Sequence, residues 1–270
     1  MLTKLIILWR IIATAVCFGL FGGGSLLLAF IIIPALNLGV RDKLRRRKYI
    51  LASIRILWRM YIWFIGLLGL FKVYCSAGDR KLLGTLQSRI VIANHPSLVD
   101  IVILVSLVKN AVCIARGKLL ENFFVQKIIK SVYIANSAGY ETIRADAVAA
   151  LRGGLNLIIF PEGTRTLNEE QLYLQRGTAY IAMEARADII PIRINTTSKL
   201  LRKDQKWYDL GTKCGVYELK VRPEIIVSSL VNAQKSRNIN ARKITERLKN
   251  SIERDGLYSP TAAGQGELPA

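Results

Sequence analysis

The stretch RIVIANHPSLVD (Arg89–Asp100) joins a short apolar run to a polar break and a second apolar run. Four consecutive apolar residues from Ile90 to Ala93 are typical of a buried β-strand. Pro96 fits the first position of a helix, and the residues from there to Val108 are mostly apolar and compatible with a helix. The stretch therefore predicts a strand–helix unit of the kind from which α/β domains are built.

His95 is the only histidine in the chain of 270 residues. Its imidazole has the one side-chain pKa that ordinarily allows proton uptake and release near neutral pH, so any imidazole chemistry must occur here. Asp100 follows five residues later, about one turn into the expected helix, where its carboxylate can reach the Nδ1 hydrogen of the ring. The alternative is a lone histidine beside an unrelated aspartate.

A second polar string, FPEGTR (Phe160–Arg165), follows another apolar run, LNLII (Leu155–Ile159). Proline, glycine and threonine indicate a strand that leads into a loop, where a rigid scaffold commonly displays functional residues. The glycine permits a close backbone approach, and the arginine offers a planar fork suited to phosphate or carboxylate. Such a loop is usually only a solvated turn when it occurs alone, but here it accompanies the histidine motif.

Together these strings resemble the glycerolipid acyltransferase family, which includes bacterial 1-acylglycerol-3-phosphate acyltransferases. The family's first motif is Asn-His, four residues and Asp, which matches Asn94, His95 and Asp100. Its third motif matches Phe160–Arg165 at every position, and its fourth, an apolar strand with a proline, matches Ile189–Ile194. The resemblance covers roughly residues 50–225, with the motifs in the family's order.

The second motif of the family departs from the expected residues. In the family an apolar strand ends in Asp-Arg, and the arginine helps to bind the phosphate of the acceptor. Here Asn136 and Ser137 stand at these positions, and neither side chain carries a positive charge. The basic element upstream is retained as Arg116 and Lys118. The departure bears on the acceptor rather than on acyl transfer.

The resemblance implies a membrane-bound O-acyltransferase that moves a fatty acyl chain from acyl-CoA or acyl carrier protein to the hydroxyl of a lysophospholipid, a lysophosphatidic acid-like acceptor. His95 would be the general base, and Asp100 would orient its ring. Ser97 is disfavoured as a nucleophile because it lacks a strained nucleophile elbow. Neither a metal nor a cofactor is implied. The expected substrate-binding residues are Glu162, Gly163, Thr164, Arg165, Arg116, Lys118, Asn136 and Ser137.

Two further functions remain open at the level of sequence. The departure at Asn136 and Ser137 favours an acyltransferase for a non-standard acceptor, such as an amino-acid lipid, a polyene or a glycolipid. A non-catalytic membrane-binding module would explain the charge and the apolar N-terminus. It would not explain why His95, Asp100 and Glu162 are all present.

The N-terminal part of the chain is strongly apolar. Ile11–Val40 contains no charged residue and is long enough to enter or cross a bilayer. Gly22–Gly24 and Pro34 are expected to weaken or kink its helix. The basic cluster Arg41–Lys48 follows, and a second apolar stretch then runs from Tyr49 to Tyr74.

The second stretch is interrupted by Arg55 and Arg59 and carries Trp58, Tyr61 and Trp63, which are typical of interfacial anchors. We expect attachment from one side, as an interfacial helix or a re-entrant hairpin. The positive-inside rule predicts that the basic cluster lies on the cytoplasmic side. The use of acyl-CoA or acyl carrier protein, which the resemblance implies, predicts that the catalytic domain also faces the cytoplasm, at the cell inner membrane. A cleavable signal peptide is disfavoured by the length of the first stretch, and a buried globular helix is the other alternative.

The chain is basic, with 39 Lys and Arg against 19 Asp and Glu, a net charge of +20 and a pI of about 10.1. No zinc finger, RNA-recognition strand or helix-turn-helix is recognisable, so we expect anionic membrane lipids rather than nucleic acid as partners. The basic, aromatic segment Lys199–Tyr208 is either a second membrane-facing edge or a solvated loop. The four cysteines are scattered singly, which disfavours a metal site.

We predict an α/β fold in which a mixed sheet is covered by helices and preceded by N-terminal membrane-embedded helices. The expected divisions are membrane-anchoring helices at 1–74, an acyltransferase domain at 75–254 and a disordered tail at 255–270. The expected strands are Ile90–Asn94, Ala111–Ala115, Val132–Asn136, Leu155–Phe160, Ile189–Ile194 and Val216–Val227. The expected helices are Leu98–Val108, Leu119–Lys130, Ala145–Leu151, Gly177–Ala187 and Arg237–Arg254.

Overall fold

The structure is a computed structural model that describes residues 2–116, 120–136, 139–166, 172–203, 205–209 and 211–253. Its centre is a seven-stranded sheet in the order β1-β7-β6-β2-β5-β3-β4, in which only the β6–β7 pair is antiparallel. The strands are β1 (Phe71–Cys75), β2 (Ile90–Ala93), β3 (Ala111–Arg116), β4 (Ile134–Asn136), β5 (Asn156–Ile159), β6 (Ile189–Thr196) and β7 (Gly215–Val221).

Helices precede and cover this sheet, so the predicted mixed α/β fold is confirmed. Every residue of the central strands β2 and β5 is buried, as expected for parallel strands with both faces covered. The helices are α1 (Leu2–Leu27), α2 (Ile33–Gly39), α3 (Lys43–Leu67), α4 (Ala77–Thr85), α5 (Val99–Leu107), α6 (Gln126–Val132), α7 (Tyr140–Arg152), α8 (Gly177–Ala185) and α9 (Arg237–Glu253).

The first two helices are continuous in the chain. A π-helical turn at Leu28–Ile32 joins α1 to α2, immediately before Pro34. Because proline cannot donate a backbone hydrogen bond, the expected kink takes the form of this widened turn, while Gly22–Gly24 remain within α1. The segments Leu2–Gly39 and Lys43–Leu67 are both long and apolar enough to cross a membrane, which is consistent with the predicted membrane association.

The second apolar stretch was expected to run to Tyr74, but its helix ends at Leu67. Gly69 follows with a φ of +71°, a left-handed conformation that commonly ends helices. The residues beyond it form β1, which pairs with β7 and adds an edge strand that the sequence did not predict. The sheet therefore extends across the expected division at residue 74.

Two of the three expected interfacial anchors face the protein interior. Trp58 stacks on Phe21 of α1 with ring centroids 5.1 Å apart, and Tyr61 contacts the same ring at 6.2 Å. Trp63 is exposed, as expected for an anchor. Arg55 also points inward, where Nη2 donates to the carbonyl of Leu107 at the end of α5 (2.8 Å).

Several predicted boundaries were wrong for local reasons. The helix after β2 begins at Val99 rather than at Pro96 or Leu98, because Ser97 pairs with Arg202 in an isolated bridge and the amide of Leu98 donates to the carbonyl of Leu201. The helix expected at Leu119–Lys130 forms only as α6, so Val132 is helical rather than the start of a strand. The strand expected at Val216–Val227 ends at Val221, two residues before a proline, which suits strand ends rather than interiors. The helix α4 was not predicted, and the expected tail lies outside the described residues.

Candidate active site

The first and third motifs meet at one edge of the sheet. His95 follows the carboxyl end of β2, and Glu162 follows the carboxyl end of β5. Since β2 and β5 are parallel neighbours, both loops leave the sheet on the same side. Open α/β sheets commonly bind ligands at this edge.

The side chain of Asn94 bonds to the backbone of the neighbouring strand β6. Its buried side chain donates from Nδ2 to the carbonyl of Ile194 (2.8 Å), and its Oδ1 accepts from the amide of Ile194 (2.7 Å). These two bonds tie the end of β2 to β6. The first family motif is thereby joined to the fourth.

The imidazole of His95 has a fixed orientation. Nδ1 lies 3.2 Å from Oδ2 of Asp100, and the ring stacks on Phe160 with centroids 4.0 Å apart and an interplanar angle of 18°. A carboxylate can only accept a hydrogen bond, so Nδ1 is the donor and Nε2 is left as the basic nitrogen. The His95 side chain remains 14% exposed, which leaves it within reach of a bound substrate.

Asp100 is fully buried and accepts three described hydrogen bonds. Besides His95, its partners are the amide of Ser97, 2.7 Å from Oδ2, and the hydroxyl of Ser97, 2.8 Å from Oδ1. Burial raises the pKa of Asp100, and the hydrogen bonds from His95 and Ser97 oppose this rise. These contacts fix the carboxylate in the rotamer that meets the imidazole.

A buried tyrosine extends this network. The hydroxyl of Tyr217 on β7 lies 2.9 Å from the hydroxyl of Ser97, which also accepts from the amide of Val99 at 3.1 Å. Burial and the nearby charge of Asp100 raise the pKa of Tyr217 to about 12, so its hydroxyl stays protonated. Since the Ser97 proton is directed at Asp100, Tyr217 is the donor to Ser97.

The third motif holds the backbone of His95. The amide of His95 donates to Oε1 of Glu162 (3.2 Å) and to Oγ1 of Thr166 (3.1 Å), and its carbonyl accepts from the amide of Thr166 (2.8 Å). The hydroxyl of Thr166 in turn donates to Oε1 of Glu162 (2.7 Å). Burial raises the pKa of Glu162, and its bonds to Thr166 and His95 oppose this rise. The described contacts of Glu162 therefore support the loop that carries His95.

The backbone conformation and close packing of this loop account for the glycine at position 163. Gly163 has a φ of +68°, and a Cβ placed there would lie 2.6 Å from Nε2 of Gln175. Its amide donates to the carbonyl of Phe160 (3.0 Å) and closes the turn. Thr164 is exposed, and Nη1 of Arg165 donates to the carbonyl of Leu201 (3.1 Å).

The residues of the second motif are only partly described. Arg116 ends β3 and Asn136 ends β4, and their backbones are paired in register. Both strands run parallel to β5, so these ends lie at the same sheet edge as His95. Lys118 and Ser137 lie outside the described residues.

Three residues of the site were missed as contributors by the sequence analysis. Ser97 was considered only as a nucleophile, although its place three residues before an aspartate at a helix start is a signal of capping. Thr166 follows the third motif directly. Tyr217 gave no signal, because it is 120 residues from its partner and on another strand. Among the described residues, no group of His, Cys, Asp and Glu is placed to hold a metal ion.

A family model described as acyltransferase matches residues 80–195, which include β2, β5, most of β6 and the first and third motifs. Over these residues the chain is similar to the acyltransferase family. The predicted resemblance therefore extends beyond the motifs and includes most strands of the central sheet.

Two relatives that match part of the chain are both named 1-acyl-sn-glycerol-3-phosphate acyltransferases. A 1-acyl-sn-glycerol-3-phosphate acyltransferase of Cocos nucifera is 34% identical over 122 residues, 43% of this chain and 40% of the relative. The human 1-acyl-sn-glycerol-3-phosphate acyltransferase beta is 28% identical over 141 residues, 50% of this chain and 51% of the relative. The chain thus spans about half or less of the length of these relatives.

One solved structure is similar over nearly the whole chain. It is the crystal structure of the 1-acyl-sn-glycerophosphate (LPA) acyltransferase PlsC from Thermotoga maritima, with a TM-score of 0.64. The match covers 92% of this chain and 97% of the other at 20% sequence identity, which supports a common fold.

Proposed function

We propose that this protein is a membrane-bound O-acyltransferase. It transfers a fatty acyl chain from a thioester donor, acyl-CoA or acyl carrier protein, to the hydroxyl of a lysophosphatidic acid-like lysophospholipid. The observation that carries the proposal is the buried Asp100 carboxylate on Nδ1 of the only histidine, inside an acyltransferase-family domain.

In the proposed reaction, Nε2 of His95 removes the proton of the acceptor hydroxyl while the hydroxyl oxygen attacks the thioester carbonyl. Asp100 stabilises the imidazolium that forms. The tetrahedral intermediate then collapses, the carbon–sulfur bond breaks, and the leaving thiol takes the proton from His95. The products are the acylated acceptor and the free thiol, and His95 is returned to its neutral state.

Direct transfer is favoured over an acyl-enzyme. Ser97 is the hydroxyl closest in sequence to His95, but it is buried and its proton is directed at Oδ1 of Asp100. A nucleophile must be able to reach the thioester carbon, and a buried hydroxyl cannot. We assign Ser97 and Tyr217 to positioning Asp100, and Glu162 and Thr166 to positioning the backbone of His95.

We assign acceptor binding to side chains at the same sheet edge. Arg165 is the strongest candidate, because its bond to the carbonyl of Leu201 fixes the guanidinium beside the loop that carries His95. A guanidinium suits a phosphate group because it can donate two parallel hydrogen bonds. The remaining proposed contacts come from Gly163, Thr164, Arg116, Lys118, Asn136 and Ser137.

Membrane attachment is proposed through residues 1–74 at the cytoplasmic face of the inner membrane. The outward surfaces of α1 and α3 expose large apolar side chains, including Leu8, Trp9, Met60 and Trp63. Such a surface is unusual for a protein surrounded only by water.

The apolar surface continues towards the catalytic edge. Phe123, in the segment between β3 and α6, lies 5.9 Å from the ring of Phe30. Trp207, in the segment between β6 and β7, contacts Phe18 at 6.0 Å. These contacts support Lys199–Tyr208 as a second membrane-facing edge, through which a lipid acceptor would reach His95 without leaving the bilayer surface.

A second candidate is an acyltransferase for another acceptor, and the absence of the family arginine at Ser137 favours it. The two are separated by assaying the purified full chain with acyl-CoA and with acyl carrier protein against lysophosphatidic acid, an amino-acid lysolipid and a glycolipid. We expect His95-dependent consumption of lysophosphatidic acid. His95-dependent turnover of another acceptor alone would establish the second candidate, and donor consumption unaffected by His95→Ala would contradict both.

A further inference from the structure

A basic cavity lies away from the active site, between the beginning of α3, the end of α6 and the second half of α7. Its volume is about 450 Å³. Ile134, the first residue of β4, lines it, whereas His95 follows the last residue of β2. β4 runs in the same direction as β2, because the pairs β2–β5, β5–β3 and β3–β4 are all parallel. The cavity therefore lies at the amino-terminal ends of these strands, opposite the carboxyl ends where His95 lies.

The lining of the cavity is strongly positive. Lys43, Arg46, Arg47 and Lys130 face it, against the single acidic side chain of Asp146. Within the described part of the chain, no ion pair joins Asp146 to any of the four basic groups. Four cations around one opening repel one another, and an anion bound between them would relieve this repulsion.

One of these cations has an unused buried donor. Nη2 of Arg47 donates to the carbonyl of Val132 (2.8 Å), which holds the guanidinium against the end of α6. Its Nε atom is buried and has no hydrogen-bond partner among the described residues. Buried donors are normally paired, and an oxygen acceptor in the cavity would pair this one. Arg46 is similarly held, through Nη1 on the carbonyl of Val40 (3.3 Å).

An exposed apolar side chain follows the cavity lining directly in the chain. Leu38 comes after the lining residue Asn37 and is 88% exposed. Lys127, one turn before Lys130, lies over the ring of Phe30 at 3.8 Å. A ligand with a phosphate head and apolar chains would match this combination of charge and apolar surface.

We propose that this cavity binds the phosphate group of a phosphate-containing ligand, and that this group is the headgroup of an anionic membrane phospholipid. Phosphate offers oxygen acceptors to the lysines and guanidiniums together. Bound there, the lipid would fix the α2–α3 connection at the membrane surface. The proposal rests on the membrane attachment proposed above but does not require acyl transfer.

The test uses the full chain in non-ionic detergent micelles. The micelles contain phosphatidylglycerol in one sample and diacylglycerol in a second. In a third they contain no added lipid, and inorganic phosphate is added to the solution. Binding is measured by thermophoresis, and the site is located by the reactivity of lysines with an amine-modifying reagent. We expect phosphatidylglycerol to protect Lys43 and Lys130 but not Lys81 on α4. Diacylglycerol should protect none of them, because it lacks the phosphate.

Matched variants separate a specific site from general attraction to a basic protein. Lys130→Gln should weaken phosphatidylglycerol binding about tenfold, as expected for one charge-assisted hydrogen bond. Arg45→Gln also removes one positive charge, from the cluster Arg41–Lys48 but outside the cavity lining, so the affinity should stay nearly unchanged. Since Lys130 is exposed, its replacement should not disturb folding.

The arm with inorganic phosphate distinguishes the two sources of the phosphate group. If inorganic phosphate alone protects Lys43 and Lys130, and Lys130→Gln weakens its binding to the same extent, the site takes free phosphate and the assignment to a lipid headgroup is overturned. Equal weakening by Lys130→Gln and Arg45→Gln would overturn the proposal, as would equal protection of Lys81. His95→Ala is expected to bind the lipid normally, so a failure of the proposed enzymatic function would leave this result intact.

Discussion

The hydroxyl of Tyr217 lies 2.9 Å from the hydroxyl of Ser97, although 120 residues separate them in the chain. The Ser97 hydroxyl donates a hydrogen bond to Oδ1 of Asp100, and Oδ2 of Asp100 accepts from Nδ1 of His95. A continuous series of hydrogen bonds therefore joins β7 to the proposed general base. All of its members except His95 are buried, so each lost bond leaves a partner without access to water.

Tyr217→Phe tests this series by removing one oxygen atom. We expect kcat to fall by about tenfold, equivalent to about 1.4 kcal/mol, while the KM values for donor and acceptor stay unchanged. The acid limb of the pH–rate profile should move to higher pH. With a weaker Ser97 hydrogen bond, the pKa of Asp100 rises further, and the carboxylate needed for ring orientation is lost earlier.

Tyr180→Phe is the matched control for this prediction. The Tyr180 hydroxyl makes a side-chain hydrogen bond to Oδ1 of Asn238 at 2.6 Å, but it lies on α8 and away from His95. This variant should leave kcat and the acid limb unchanged. If Tyr217→Phe lowered only the free energy of unfolding and behaved otherwise like the control, Tyr217 would be structural and not a positioning residue.

His95→Ala is expected to abolish most acyl transfer, because general-base catalysis contributes about 10²–10⁴-fold. Asp100→Ala should lose activity similarly but also leave the Ser97 donors unpaired, so Asp100→Asn is the better-matched replacement. Single-turnover rates at saturating substrate, together with circular dichroism to confirm folding, provide the measurement. Near-wild-type turnover by His95→Ala would remove the proposed mechanism.

The buried carboxyl of Asp100 also predicts a pH dependence of stability. Its folded-state pKa is raised by burial, whereas its unfolded pKa is about 3.9. Between these two values the folded protein binds more protons at this site than the unfolded chain, so stability falls as pH rises through the window. The neighbours His95, Ser97 and Tyr217 are common to wild type and Asp100→Asn, which makes the variant a non-titrating reference.

Urea unfolding across a series of acidic pH values checks this expectation. The free energy of unfolding of the wild type, relative to Asp100→Asn, should decrease from the acidic end of the window upward and then level off. An increase over the same range would mean that the hydrogen bonds from Ser97 and His95 outweigh desolvation and hold the pKa of Asp100 low.

The fold was largely predictable because its central strands are defined by local composition. Continuous apolar runs such as IVIA and NLII are typical of strands buried on both faces, and both became central strands. The edge strand β1 was missed because its residues continue the apolar helical stretch from Tyr49. Only Gly69 and the pairing with β7 separate it, and pairing between distant segments is not visible in one sequence.

In the candidate site too, a contact between residues close in sequence was predictable, whereas contacts between distant segments were not. His95 and Asp100 are only five residues apart, so their contact could be predicted from local sequence, and the structure shows it at 3.2 Å. The role of Glu162 in holding the backbone of His95 could not be predicted, since it depends on how the β5 loop crosses the β2 loop. The role of Ser97 in holding Asp100 could not be predicted either, because it depends on the burial of Ser97 in the folded protein.

The exposed apolar faces of α1 and α3 predict firm attachment to a membrane. We expect the protein to stay in the membrane fraction during alkaline extraction, and the catalytic domain to be cut by protease added from the cytoplasmic side. Trp63→Gln should weaken binding to vesicles, since Trp63 is 68% exposed. Trp58→Phe is a matched aromatic control, because Trp58 packs against Phe21 between the helices. Protection from cytoplasmic protease with cleavage from outside would refute the orientation.

Arg165 is expected to bind the negatively charged group of the acceptor. Arg165→Ala should raise the acceptor KM strongly and leave the donor KM nearly unchanged, while Arg165→Lys should rescue only in part because lysine lacks the planar fork. Its hydrogen bond to the carbonyl of Leu201 gives a competing structural role, which would disturb both substrates alike. Ser137→Arg restores the family arginine and should improve the use of lysophosphatidic acid. Equal loss of donor and acceptor affinity in Arg165→Ala would show that the guanidinium supports the loop. Robust wild-type activity on lysophosphatidic acid, unaltered by Ser137→Arg, would mean that another basic side chain supplies the charge.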